Sequence, residues 1–108
     1  MTDLAVDYET TRPDLRPYSE EMMGGSPQTV AQRFRDRSPI NFVSRIRGRL
    51  LIVQGDNDPN VTPRNVTDVI TRLRDADVSF ESLNFADEGH GISRPANQRV
   101  LYRRIARF

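Results

Sequence analysis

Arg49-Leu50-Leu51-Ile52-Val53-Gln54-Gly55 is the segment on which the fold turns: four consecutive apolar residues are followed, after Gln54, by a glycine. A short apolar run bounded by a glycine turn reads as a strand buried on both faces. Thr62-Pro63 then opens a helix. Its apolar positions Val66, Val69, Ile70 and Leu73 fall at i, i+3, i+4 and i+7, the stripe of an amphipathic helix, and Asp75-Ala76-Asp77 closes it. Val78 to Phe85 reads as a second strand. Its alternation slips, with Val78 and Phe80 on one parity and Leu83 and Phe85 on the other, so either both faces are partly covered or a bulge sits near Ser82. Ser93 and Pro95 start a last helix, with Leu101, Ile105 and Phe108 along one face. The pattern predicts strands over 49–54 and 78–85 and helices over 63–75 and 95–108. Strand, helix, strand, helix is a βαβα unit, and right-handed crossovers make its strands parallel. The expected class is therefore α/β. Parallel sheets need helices on both faces and usually more than two strands. The 108 residues accordingly read as an incomplete, C-terminal portion of a larger α/β domain.

The upstream third is less committed. Met1 to Tyr8 shows only a weak apolar alternation, and residues 1–25 are expected to be a poorly ordered or connecting segment ahead of a core over 26–108. Within that segment Pro17 can start a short helix through Met23, which Gly24-Gly25 would end. Ser26-Pro27 reads as N-cap and first helical residue of a helix over 27–36, with Val30 and Phe34 one turn apart on its buried side. Ser38-Pro39 would stop it.

Composition narrows the function classes. The chain has no cysteine, which excludes disulfide scaffolds, thiolate metal sites and Cys nucleophiles. All sixteen cations are Arg, but fifteen acids are interspersed and the net charge is +1. No strongly positive field results, so no nucleic-acid partner is expected. No run approaches the roughly 18 apolar residues of a membrane span, and no secretory pattern follows Met1. A cytoplasmic protein with no membrane partner is the expectation.

Chemistry in open α/β sheets collects at the carboxyl ends of the strands. Two loops fall there: Gly55-Asp56-Asn57-Asp58-Pro59-Asn60-Val61 after the first strand, and Asp87-Glu88-Gly89-His90-Gly91 after the second. His90 is the single histidine, and its glycine neighbours leave the ring open to approach from several sides. On adjacent strands Asp58 can accept a hydrogen bond from His90, giving two-thirds of a hydrolase triad. The competing reading makes Asp58 a turn cap and His90 an ordinary loop residue, and spacing alone does not choose between them. Asp56, Asp58, Asp87, Glu88 and His90 also invite a divalent cation. That reading is set aside, because the first loop lacks the later ligands and glycine of an EF-hand and one histidine makes a poor zinc site. No metal or cofactor is expected.

These residues carry a resemblance. Leu50-Leu51-Ile52-Val53-Gln54-Gly55, Asn57-Asp58-Pro59, Val61-Thr62-Pro63, Phe85 and Asp87-Glu88-Gly89-His90-Gly91 together resemble the C-terminal part of the prolyl oligopeptidase family of serine peptidases, of the α/β-hydrolase fold. Met22-Met23-Gly24-Gly25-Ser26-Pro27 and Arg37-Ser38-Pro39-Ile40 are similar to the family's segment before the strand that carries the Asp. The resemblance implies Asp58 as triad acid and His90 as general base, with Asp56 outside the acid position. It also implies Asn60 as a substrate-binding candidate, at a place where many members carry an Arg that helps hold the peptide backbone.

Such a hydrolase places its serine in Gly-x-Ser-x-Gly, ahead of the Asp and His. None of Ser19, Ser26, Ser38, Ser44, Ser79, Ser82 and Ser93 stands between two such glycines. Ser26 comes nearest, with Gly24 before it but Gln28 after it. The expectation is a portion of a serine peptidase that holds Asp58 and His90, lacks the nucleophile and is inactive alone. Its substrate, once completed, would be a peptide or an ester. The alternative is a non-catalytic module that pairs with itself or a partner through an exposed sheet edge.

Overall fold

A computed structural model describes all residues, 1–108. Strand β1 (Leu51–Gly55) pairs in parallel with β2 (Glu81–Phe85) in the register Leu51↔Glu81 through Gly55↔Phe85. Helix α4 (Pro63–Asp75) forms the crossover between them, and α5 (Pro95–Arg107) follows β2. Ahead of β1 come α1 (Leu4–Thr10), a short 3₁₀ turn (Pro13–Leu15), α2 (Arg16–Met23), α3 (Ala31–Arg37) and a 3₁₀ helix (Pro39–Arg45). No helix is long and apolar enough to cross a membrane.

The stripe on α4 does what its spacing predicts. Val69 and Leu73 are buried with Ile40 and Val43 of the 3₁₀ helix, and Leu50, Ile52, Val78 and Phe80 pack against that cluster. One face of the two strands is thus covered. Alternation sends Leu51 and Val53 the other way, where they stay half-buried, and α5 contributes no buried residue at all. Ile105 is 50% exposed and Leu101 and Phe108 are only half-buried, so the face read from sequence on this helix is only loosely packed.

Four expectations are corrected. Residues 1–25 are neither disordered nor a simple connector. Asp3 caps α1 by accepting from the Ala5 and Val6 amides at 3.0 and 3.2 Å. Asn65 of α4, 1% exposed, then accepts from the Thr2 and Asp3 amides at 3.0 and 3.1 Å. These long-range bonds hold α1 on α4, and no local periodicity announces them. Second, the helix expected over 27–36 begins only at Ala31, because Thr29 and Val30 donate to the Ser26 carbonyl in a separate turn and Val30 leaves the helical region at φ −129°.

Third, β2 begins at Glu81 rather than Val78. Its partner strand starts at Leu51, and the Val78 amide instead donates to the Leu73 carbonyl at 2.9 Å, closing the turn after α4. Fourth, of the two readings of the slip the bulge near Ser82 is absent: the register is continuous, and burial alternates cleanly from Glu81 to Phe85. The parity slip arises because Val78 and Phe80 pack on the α4 cluster before the strand starts. The α2 expectation fares better, since Pro17 lies in its first turn and Gly24, at φ +76°, ends it in the left-handed conformation.

The uneven packing of α4 and α5 has a measurable consequence. Leu73→Ala, at a fully buried position, is expected to cost about 2–5 kcal/mol of unfolding free energy. Ile105→Ala, at a half-exposed one, is expected to cost less than about 1 kcal/mol. Urea denaturation of the two variants beside the parent chain measures both, and equal losses would mean that α5 is packed as tightly as α4.

Candidate active site

Both strands end where their loops are forced together. A Cβ placed on Gly55 would lie 2.2 Å from the Gly89 carbonyl oxygen and 2.6 Å from that of Glu88. Only glycine allows that approach. The contact is secured by backbone bonds: the Asp56 amide donates to the Phe85 carbonyl and the Asn57 amide to the Glu88 carbonyl, each at 2.9 Å. The Asn57 side-chain amide adds a bond to the Ala86 carbonyl at 3.0 Å.

Asp58 occupies the turn this contact creates. Its Oδ1 accepts from the amides of Asn60 and Val61, both at 2.9 Å, which fixes the carboxylate plane. His90 Nδ1 lies 3.0 Å from Oδ2 and 3.2 Å from Oδ1. Burial works to raise the Asp58 pKa, but hydrogen bonds from the Val61 amide, from His90 and from the Asn60 amide outweigh it and leave the group below its ordinary value. The side chains differ sharply in access: Asp58 is 7% exposed and His90 60%. The acid is thus kept dry behind an accessible imidazole, and no hydrogen bond in the structure occupies His90 Nε2.

Glu88 is the residue that sequence reasoning underrated. It is 2% exposed, and its carboxylate accepts from the Ser93 amide (3.0 Å), the Ser93 hydroxyl (3.1 Å), the Arg94 amide (2.8 Å) and the Asn97 side-chain amide (2.8 Å). An anion at the start of α5 satisfies amides that the helix cannot pair internally. Burial again pulls upward, and these four donors more than offset it, holding Glu88 at about 2 against an ordinary 4.5. Glu88 thereby closes the loop of residues 88–94 around His90. The available signal was a Glu five residues before Ser93-Arg94-Pro95, a helix start with unpaired amides.

The other sequence candidates separate. Asp56 is exposed and meets only Asn84 Nδ2, at 3.3 Å, so it does not join His90. Asn60 comes to the site twice: its amide holds Asp58, and its side chain lines a cavity shared with His90. Ser26 sits on the turn before α3, where its hydroxyl meets Thr29 at 3.3 Å. No serine of the chain hydrogen-bonds His90.

Comparison with known proteins follows the same lines. The sequence profile of the prolyl oligopeptidase family matches residues 2–108. Dipeptidyl aminopeptidase BIII of Pseudoxanthomonas mexicana is 34% identical over 79 residues, 71% of this chain and 12% of that protein. Among solved structures, a puromycin-hydrolyzing peptidase of Mycobacterium tuberculosis superposes with a TM-score of 0.87 at 27% identity, covering 98% of this chain and 16% of that one. Dipeptidyl peptidase 4 of Porphyromonas gingivalis superposes with a TM-score of 0.79 at 31% identity, over 84% of this chain and 13% of that one. The architecture is part of the α/β-hydrolase fold that such peptidases have, and the chain spans only a small share of their length.

The lowered Glu88 pKa makes stability depend on acid pH with a definite sign. The folded state holds the proton less tightly than the unfolded one, so the contribution is complete above about pH 4.5 and disappears as pH falls toward about 2. Asp58 and Asp14, also lowered, act in the same direction. Glu88→Gln puts a donor among four donors, so it is expected to melt lower at neutral pH and to lose stability less steeply in that acid window. Thermal melts of parent and variant between pH 2 and 7 measure both effects, and parallel profiles would show that Glu88 does not carry the dependence.

Proposed function

The chain belongs to the prolyl oligopeptidase family, and from that premise we propose that it is the acid-and-base portion of a serine peptidase that hydrolyses peptide bonds. The observation carrying this reading is the pairing of dry Asp58 with exposed His90 at 3.0 Å. Asp58 accepts the Nδ1 proton, which selects the tautomer with a free lone pair on Nε2 and steadies the imidazolium once it forms. Nε2 then takes the proton of a serine hydroxyl as that oxygen attacks the substrate carbonyl. It returns the proton to the leaving amine as the tetrahedral intermediate collapses. The serine and the oxyanion donors are supplied by sequence other than these 108 residues, so the chain by itself is inactive. Asn60, beside His90, contacts the substrate.

A second reading draws on one observation. Each strand of the two-stranded sheet has an unpaired outer edge, and α5 leaves Val100 and Ile105 half exposed. On that reading the chain pairs with a second copy through the open edge. Sedimentation over a range of concentrations gives a dimer in this case and a monomer otherwise.

The acid–base reading is tested on the chain itself. A low-field proton resonance from the His90 Nδ1–H is expected in the NMR spectrum of the parent and is expected to vanish in Asp58→Asn. A resonance that persists in the variant would refute the pairing. Incubation with a fluorophosphonate and with an activated ester is expected to give neither labelled serine nor turnover. Labelling of any of the seven serines would show that the chain contains its own nucleophile.

A further inference from the structure

His90 stands at the tip of a loop whose own backbone does little to hold it. Gly89, His90 and Gly91 enter no backbone–backbone hydrogen bond. A side chain added at Gly91 would meet no atom within 4 Å, so that side of the tip is unpacked. Glycines on both sides of His90 give the tip a wide choice of conformations. Across residues 89–92 the structure has two hydrogen-bonded groups. One is the His90 ring, paired with Asp58. The other is the Ile92 carbonyl, which accepts from Gln98 Nε2 of α5 at 3.0 Å. The arm entering the tip is fixed separately, since Asn97 Nδ2 bridges Asp87 Oδ1 at 2.9 Å and Glu88 Oε1 at 2.8 Å. Two successive amide side chains of α5, both half-buried, thus grip the two arms of the His90 loop. The leaving arm depends on Gln98 alone.

We propose that Gln98 is a positioning residue for His90: its bond to the Ile92 carbonyl keeps the tip from swinging and holds the imidazole on Asp58. With Glu88 fixed at one end and Ile92 at the other, Gly89-His90-Gly91 must bridge two set points, and few backbone conformations do so. Freeing Ile92 returns that conformational entropy to the tip. The His90 side chain is 60% exposed, and a bond so open to water does not withstand the loss by itself. Once off Asp58 the ring is free to carry its proton on Nε2, where it has no lone pair to take one from a hydroxyl. Gln98 touches neither the reacting atoms nor Asp58, so it acts through the place and the tautomer of His90. The assignment rests on the Asp58–His90 pairing proposed above.

The test compares the parent chain with Gln98→Met, which keeps the length of the side chain and removes the donor. Leu73→Ala is the control for lost stability. Imidazole nitrogen shifts at about pH 9, where an ordinary imidazole is neutral, report the His90 tautomer. Heteronuclear NOEs of the Gly89, His90 and Gly91 amides report the order of the tip. In the parent the Nδ1–H tautomer is expected to predominate and the tip NOEs to match those of β1. Gln98→Met is expected to cut the ratio of Nδ1–H to Nε2–H tautomer about fivefold, the factor that one net hydrogen bond is worth. The tip NOEs are expected to fall with it while those of β1 stay. Leu73→Ala is expected to melt lower than Gln98→Met and yet keep the parent's values on both measures. Parent values in Gln98→Met would overturn the proposal, and so would an equal change in Leu73→Ala. Tip NOEs in the parent as low as that of Thr2 would overturn it without any variant. The tautomer separates the two readings. If Nε2–H predominates in the parent while tip order still depends on Gln98, the acid–base pairing fails and the grip on the loop stands. If Nδ1–H predominates equally in parent and variant, the Gln98 assignment alone fails.

Discussion

The approach of Gly55 to the Glu88–Gly89 backbone sets everything else at the carboxyl end of the sheet. Parallel pairing brings the ends of β1 and β2 side by side, but pairing alone leaves their loops free to diverge. The missing side chain at Gly55 lets one loop lie directly on the other, and the Asp56 and Asn57 amides then bond across. Asp58 follows within one turn, and His90 follows one residue beyond Gly89. Their 3.0 Å separation is thus a consequence of backbone contact and not of two side chains finding one another. This order matters physically, because a hydrogen bond between an exposed imidazole and a carboxylate is too weak to organise two loops by itself.

Three carboxylates sit in this region in three electrostatic conditions, and the differences divide the labour. Glu88 is buried with four donors and has nothing left to offer a ligand. Its work is structural: it joins the His90 loop to the start of α5. Asp58 is buried with two backbone amides and turns its remaining capacity to His90. That arrangement holds a charge in place while leaving the imidazole free to exchange protons at Nε2. Asp7 is buried with an oxygen left empty. The same side-chain chemistry therefore yields a clamp at Glu88 and a positioner at Asp58, according to which donors the loops supply.

What the sequence disclosed follows from which interactions are local. The β1 run, the α4 stripe and the glycine-bounded loops are short-range patterns, so two strands and the crossover helix are legible; the same patterns put Asp58 and His90 on facing loops, but spacing leaves their pairing open and only the family resemblance implies it. Helix α1 is not, because it is held by Asn65, more than sixty residues away, through bonds to Thr2 and Asp3. The start of β2 was misjudged for a related reason: Val78 and Phe80 satisfy a helix-packing demand that looks, in one dimension, like a strand. Asp7 gave no signal at all. Only the folded chain places it beside His90, since its cavity is assembled from two helices and a loop distant in sequence.

The core and the site are finished to different degrees, and the reason lies in what each requires. Burying β1 on both faces takes a helix and neighbouring strands on each side, and here only the α4 side is closed, with α5 lacking any fully buried residue. Pairing Asp58 with His90 takes two adjacent strand ends and the glycine between their loops. The hydrogen bonds that fix Asp58 and the His90 loop lie almost wholly between residues 56 and 97. Core packing and the placement of the Asp58–His90 pair thus draw on different contacts, and the second is the more locally encoded of the two.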